Sequence, residues 1–504
     1  MNKEAFNNPI IKKIIEKYEL VSALEQALYL AGWDLETYMP ESGAANRGFV
    51  MGKLSTLMQK YYLEKDFIKL VEEASNQTNL NDYEKGIVRV LQKSLYYYFN
   101  VPAEFIEEFS SVTSEAQIAW RDAKNKNDYS IFEPYLTKII DLNIRQANYL
   151  KYEENPYDAL LDIYEEDLTT KDVESFFDSI RPTLKDLLAY IKKSKKYSAR
   201  FHELTKETYD QIRLEETNYK ILDFFNYNPK ELRLDVSSHP FTQSINNKDV
   251  RITTRYLGND FAATTSSTIH EYGHALYELG ISDSIANSPI GKTSSLIIHE
   301  SQSRFWENII GRNAEFVRLF LSKYKKLGDE FKNYSFKDFY NYFNTVRPGF
   351  IRVEADEVTY HYHIMIRFEL EKMMVNKEVT AKELPELWNQ KYKEYLGIKP
   401  RSYREGILQD IHWSGGSIGY FPTYSMGTIL SSQWAARMEK EVGSIDKLII
   451  DGKGIAKIQK WLKENIHQYG STYTMKELLK KSLNEDYSAE YWKKYITKKY
   501  KSIY

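Results

Sequence analysis

Across roughly the first two hundred residues, apolar side chains return every three or four positions and hardly ever alternate. "NPIIKKIIEKYELVSALEQALYLAGWD", "GFVMGKLSTLMQKYYLEKDFIKLVEEAS", "PAEFIEEFSSVTSEAQIAWRDAKN" and "EPYLTKIIDLNIRQANYLKYE" all share this spacing. An apolar stripe with the helical period must be buried against another element, so a scaffold of packed helices is dictated before any motif is considered. Proline and glycine are scarce there, and turn signals such as "ENPYD" fall between the periodic segments. Strand-like runs are few. The better two are "LRLDVS" and "DVRITTRYLG", the second rich in β-branched and aromatic residues. Helical periodicity then resumes to the end of the chain, broken by glycines at "HWSGGSIGYFP". With no repeat, low-complexity tract or Pro/Ser/Gly linker, the expectation is one large, mainly helical domain with a small sheet near its middle.

Composition narrows the function by exclusion. Hydrophobic residues make up 42% of the 504, ample for a sizeable core. The 69 basic and 71 acidic residues leave a formal charge of −2, which offers no bulk attraction to nucleic acid or membrane. Absence of cysteine rules out a disulfide framework, a cysteine-ligated metal and a thiol nucleophile. The opening "MNKEAFNNPIIKKIIEKYEL" lacks the continuous apolar core of a signal peptide. No stretch approaches the ~18 uninterrupted apolar residues that suggest a membrane span. Cytoplasmic residence is the expectation.

Against this background, "SSTIHEYGHALYELG" stands out, because a chain with only nine histidines places two of them four residues apart. On a helix, positions i and i+4 share a face, so His270 and His274 present two imidazoles to one point, as a divalent cation requires. Glu271 lies about 100° further round, beside the metal position, where a carboxylate can act as general base on water. The polar run "TTSST" supplies candidate N-caps, Gly280 a stop, and Gly273 room for a substrate backbone. A catalytic metal needs a third protein ligand and an open position. The segment "KTSSLIIHESQSRFWENIIG" reads as a second helix capped by Thr293 or Ser294, with Glu300 set near apolar Leu296 and Ile297. A carboxylate in that setting calls for a cation. The neighbouring His299 is the competing ligand; Glu300 is preferred. These nitrogen and oxygen donors accept zinc, cobalt and manganese alike.

"HEYGH" followed by "HESQSR" resembles the M32 family of metallocarboxypeptidases, the thermostable carboxypeptidase family. Further signatures of that family appear in order: "HPF" at His239–Phe241, "DVRIT" at Asp249–Thr253, "IRVEAD" at Ile351–Asp356 and "GILQDIHW" at Gly406–Trp413. HExxH alone is shared by many peptidases, whereas the ordered set is specific, and it runs densely from about residue 230 to 430. The resemblance implies a mainly helical, clamshell-like domain with a deep groove and a homodimer with one zinc or cobalt ion per chain. It also implies removal of single C-terminal residues from peptides with broad preference. Residues 1–230 would then be the helical wall or lid, 231–430 would carry the catalytic motifs, and 431–504 would be C-terminal helices.

Carried over residue by residue, the resemblance makes His270, His274 and Glu300 the metal ligands and Glu271 the catalytic base. A carboxypeptidase must also hold a terminal carboxylate, and the planar fork of arginine suits that task. Arg352 and Arg251 are the candidates. The structural alternative pairs Arg352 with Glu354 or Asp356, and Arg251 with Asp249. Tyr420 after its glycine-rich approach, with His412 and Tyr424, could steady an oxyanion. Asp410 is expected to orient a histidine, while His361 and His363 are read as structural. An endo-acting HExxH oligopeptidase would need no carboxylate clamp. A non-catalytic peptide-binding protein would not need to keep Glu271.

Overall fold

The computed structural model describes residues 5–504 apart from 238, 257 and 294. It is mainly helical with one three-stranded sheet, as the periodicity predicts. The chain divides into two compact units, each drawn from three separate stretches. The first takes Met1–Phe99, Leu204–Tyr340 and Trp434–Tyr487; the second takes Asn100–Glu203, Asn341–Gln433 and Ser488–Tyr504.

In the first unit the long helix Pro9–Thr37 is opened by Asn8, whose side chain accepts from the Ile10 and Ile11 amides. Its Ile11, Ile14, Tyr18 and Val21 pack with Phe67, Val71, Ile87 and Leu91 in one apolar cluster. The stretch "GFVMGKLSTLMQKYYLEKDFIKLVEEAS" holds two helices, Ala44–Tyr62 and Lys65–Ser75. The sheet consists of β1 (Leu232–Val236), β2 (Thr242–Asn246) and β3 (Asp249–Thr254) in the order β1-β3-β2. β3 is central, parallel to β1 and antiparallel to β2. β2, "TQSIN", gives no strand signal in the sequence: it is an edge strand with a single buried residue and no apolar alternation.

The HEYGH segment lies on the helix Phe261–Gly280, capped by Asp260, which accepts from the Ala263 amide at 3.0 Å. The run "TTSST" therefore does not cap the helix; it lies inside it. Thr264, Thr265 and Thr268 are buried, and each hydroxyl finds an acceptor: Arg255 O at 2.9 Å, Asn218 Oδ1 at 3.2 Å and Thr264 O at 3.0 Å. Polar residues can occupy a buried helix face when their bonds are met this way. The second motif helix, Leu296–Arg304, is capped by Ser295, whose hydroxyl accepts from the Ile298 amide at 3.1 Å. Thr293 instead donates to Glu278, and Ser294 lies outside the described residues.

These two helices meet at Gly273. A Cβ there would fall 2.7 Å from both Gln302 O and Ser303 Cα. Glycine at this position makes room for the neighbouring helix, not for a substrate as expected from the sequence.

In the second unit the helix Tyr360–Val375 is buried almost all round. One ring nitrogen of each of its histidines is matched inside: His361 Nδ1 pairs with Ser425 Oγ at 3.0 Å and His363 Nδ1 with the Tyr392 hydroxyl at 2.9 Å. Neither histidine belongs to the His270, His274 and Glu300 group. The C-terminal helix Glu490–Ile503 is tied down through Glu357, which accepts from the Tyr495 and Tyr500 hydroxyls at 2.9 and 3.0 Å.

Gly273→Ala tests the close approach of the motif helices. Helix propensity favours alanine by about 1 kcal/mol, whereas forcing a methyl into packed backbone costs about 1–3 kcal/mol or more. Net destabilisation is expected, seen as an earlier urea midpoint at unchanged slope. A later midpoint would mean that the helices separate freely at this point.

Candidate metal and peptidase site

His270, His274 and Glu300 converge in the first unit, with one ligand atom from each lying within 4.8 Å of the others. Glu300 Oε2 is 3.6 Å from His270 Nε2 and 3.5 Å from His274 Nε2. His299 turns elsewhere: its ring stacks on His274 at 4.1 Å, and its Nε2 lies 3.2 Å from Glu278 Oε1. The charge pattern suits a cation. Burial alone would raise the Glu300 carboxyl, but Arg304 at 2.6 Å and the two histidines hold it below the usual range. Burial, with His299 adding to it, pushes His274 down to about 3, so its imidazole is neutral and its lone pair is available.

His270 is oriented from behind. Its Nδ1 bonds Glu307 Oε2 at 2.9 Å, which directs Nε2 toward Glu300. Despite burial, Glu300 and Glu307 raise the His270 pKa. Glu307 stands on a π-helical turn, Phe305–Gly311, that continues the second motif helix. Such turns often mark functional positions. Burial opposes ionisation of Glu307, but Arg304 at 3.0 Å and Arg312 at 2.9 Å keep its carboxyl well below the usual range. The sequence reading overlooked Glu307. The signal was present in its position seven residues, about two turns, after Glu300.

Glu271 has a different environment. Its Oε2 accepts from the Thr242 hydroxyl of β2 at 2.6 Å, and burial raises its pKa. A carboxyl whose proton affinity is raised is better matched to taking and returning a proton near neutrality.

Arg251, on β3, is engaged by Asp249 through Nε at 2.9 Å and Nη2 at 2.8 Å, the structural alternative weighed for it. Its guanidinium also lies over the Trp33 ring, 4.6 Å from the centroid.

The remaining candidates gather in the second unit. Arg352 is buried and bonds Asp410 Oδ1 through Nε at 2.9 Å and the Tyr360 hydroxyl through Nη1 at 3.3 Å. Neither Glu354 nor Asp356 takes it: Asp356 accepts the Val358 and Thr359 amides at the start of the buried helix. Asp410 does not orient a histidine, as expected from the sequence; it bridges Arg352 and Arg367. Two guanidiniums outcompete an imidazole for one carboxylate because they carry fixed positive charge. Arg352 also lies 5.0 Å from the centre of the Tyr424 ring. The Tyr424 hydroxyl is 3.1 Å from His412 Nε2, and the Tyr420 ring is 5.1 Å from that of Tyr424 and 5.5 Å from that of His412. The loop carrying His412 and Tyr420 is held by buried Glu371, which accepts from Trp413 Nε1 at 2.7 Å and the Gly419 amide at 3.0 Å. Gly419, at φ 99°, adopts a conformation that other residues resist.

If this ligand set is right, Glu300→Gln loses metal on dialysis while His299→Ala retains it. Glu307→Gln is expected to weaken metal affinity about 10–100-fold by freeing the His270 ring. Metal analysis of the dialysed variants decides; full retention in Glu307→Gln would leave Glu307 no orienting role.

Comparison with known proteins places this geometry in a family. A family model described as carboxypeptidase Taq (M32) metallopeptidase matches residues 11–500. Thermostable carboxypeptidase 1 of Pyrococcus furiosus is 50% identical over 499 residues, covering 99% of this chain and 100% of the relative. Carboxypeptidase 1 of Bacillus subtilis is 36% identical, covering 98% of each chain. A solved structure of the Pyrococcus furiosus carboxypeptidase, described as apo-Mg, superposes with a TM-score of 0.95 at 50% identity, covering 99% of this chain and 100% of that one. The chain belongs to the M32 family of metallopeptidases.

Proposed function

We propose that this protein is a metal-dependent carboxypeptidase that releases single C-terminal residues from peptides with broad preference. Its family is one of peptide-bond hydrolases, and the relatives above are named carboxypeptidases. The convergence of two neutral-capable imidazoles and an ionised carboxylate supports the metal part of the reading. His270, His274 and Glu300 would hold zinc or cobalt. A bound cation there would polarise the scissile carbonyl and make a water more acidic. Glu271, kept in place by Thr242, takes the water's proton and hands it to the departing amine. Tyr420, with His412 in support, steadies the oxyanion, and Tyr424 lines the substrate beside Arg352.

Carboxylate recognition rests on Arg352 first. Its Nη2 has no bond among the described residues, and Asp410 is shared with a second guanidinium, so the group keeps a donor and a share of positive charge. Arg251, in the first unit, is the weaker candidate, since two of its donors already serve Asp249. The same family resemblance supports a homodimer. No helix among the described residues is long and apolar enough to cross a membrane, and cytoplasmic residence is part of the proposal.

Paired peptides differing only in a C-terminal acid or amide test the exopeptidase reading. Losing one partner of a desolvated charge pair costs about 2–5 kcal/mol, so amides should be cut roughly thirty- to several-thousand-fold less efficiently. Arg352→Ala should reproduce much of that loss on the acid, and Arg352→Lys should rescue it only in part. Equal cleavage of both peptides at internal bonds would make the protein an oligopeptidase.

Glu271→Gln should bind metal and peptide yet lose kcat by several orders of magnitude. Retention of more than about a tenth of wild-type kcat, only ~1.4 kcal/mol of barrier, would remove Glu271 from the proton path.

A further inference from the structure

Glu278 lies one turn beyond His274 on the same face of the Phe261–Gly280 helix, and half of its carboxylate is unused. Oε1 accepts from the Thr293 hydroxyl at 2.8 Å and lies 3.2 Å from His299 Nε2. Oε2 has no partner among the described residues, although Glu278 is only 8% exposed. That oxygen is not sealed in packed protein; it keeps access to the space beside the helix, where a cation or donor can meet it. None of the chain's described groups meets this oxygen.

Glu278 lines a cavity of about 240 Å³ within the first unit, bounded by the helix Pro9–Thr37, by edge strand β2 and by residues 286–293. That is a little below the ~300 Å³ at which drug-sized sites begin, enough for one or two amino-acid residues. The cavity adjoins the proposed catalytic group at two points. Thr242 donates its hydroxyl to Glu271, and His299 stacks on His274. Apart from the His299 imidazole, its charged lining is Glu25, Glu278 and Lys292. Lys292 and Glu25 satisfy each other at 2.6 Å, and the Tyr18 hydroxyl donates to the second Glu25 oxygen at 2.9 Å. The negative charge left over is that of Glu278. No arginine lines the cavity, so it does not suit the carboxyl end of a peptide; it suits an amine.

We propose that this cavity is an amine-recognition subsite, in which Glu278 receives a primary ammonium from the peptide on the amino side of the cleaved bond. The ammonium is either the free α-amino group of a short substrate or a lysine side chain. The inference rests on the metal-site reading above, because Thr242 and His299 are what tie the cavity to the chemistry.

The test uses the metal-loaded protein and four peptides sharing one C-terminal free-acid residue: Ac-Ala-Ala-Phe, its unacetylated form, Ac-Ala-Lys-Phe and Ac-Lys-Ala-Phe. In the wild type, at least one amine-bearing peptide should exceed Ac-Ala-Ala-Phe in kcat/KM by about ten-fold, the scale of one charge-assisted contact. Whether the unacetylated or a lysine peptide shows the gain identifies the source of the amine. Glu278→Gln should bring that ratio close to one. Gln26→Glu, which adds a carboxylate to the same half-buried lining, should widen it, and it carries the test if the first variant fails to fold. A ratio near one in the wild type, or a preference that survives Glu278→Gln and is not widened by Gln26→Glu, overturns the subsite. No turnover of any of the four by the wild type would strike the carboxypeptidase reading itself, and the subsite with it.

Discussion

The contact at Gly273 is the constraint on which the metal site depends. At 2.7 Å from an ideal Cβ to the backbone of Gln302 and Ser303, only a hydrogen atom fits between the two motif helices. That approach sets Glu300 within 3.6 Å of both histidine Nε2 atoms. A wider separation would leave a helix with two imidazoles on one face and a distant carboxylate, which is no metal site. The glycine thus acts through backbone proximity, and the ligands inherit their geometry from rigid elements rather than from loops.

Three buried glutamates within this small region are driven to different ends by their neighbours. Glu300 and Glu307 share Arg304, which together with the histidines and, for Glu307, Arg312 outweighs burial and keeps both ionised. Glu271 has no arginine among its charge partners, and burial raises its affinity for a proton against the opposing pull of His270 and the Thr242 hydroxyl. Carboxylates whose environments pull their proton affinities apart are suited to different tasks. In the proposed mechanism the ionised pair would serve as ligand and orienter, with the third left free to exchange protons. Removing Arg304 from this picture would weaken the distinction, so the arginine, bonded to both Glu300 and Glu307, belongs to the site.

The sequence made legible whatever depends on local period. Helices follow from apolar spacing, the imidazole pair from the four-residue interval, and Glu300 from an acidic residue stranded among apolar neighbours. What it concealed depends on partners distant along the chain. "TTSST" looks like a cap because its hydroxyls prefer backbone acceptors, and the acceptors that bury it inside a helix come from Asn218 and Arg255. β2 is polar because one edge of it lines a cavity, so it shows no alternation. Asp410 sits beside His412's neighbour in sequence yet belongs to Arg352 and Arg367, residues separated from it by 58 and 43 positions. Each unit is built from three stretches, and no local pattern announces such an assembly.

Arg251 and Arg352 show why residue type and motif membership do not determine a role. Both carry the same planar fork, and both lie in signature motifs. Arg251 faces one carboxylate two positions away on its own strand, and two parallel bonds neutralise it one to one. Arg352 shares its carboxylate with Arg367, so two fixed positive charges meet a single negative one. The imbalance is eased by the aromatic faces of Tyr424 and Phe421, 5.0 and 5.6 Å from the guanidinium, but rings supply no charge. Burial opposes keeping Arg352 charged, and Asp410 together with Tyr360 and Tyr424 overrides it, so the proton stays. A buried, permanently charged group with one nitrogen unbonded and a shortage of counter-charge is most stable when an anion reaches it. A terminal carboxylate meets that demand, and a neutral peptide bond in mid-chain does not.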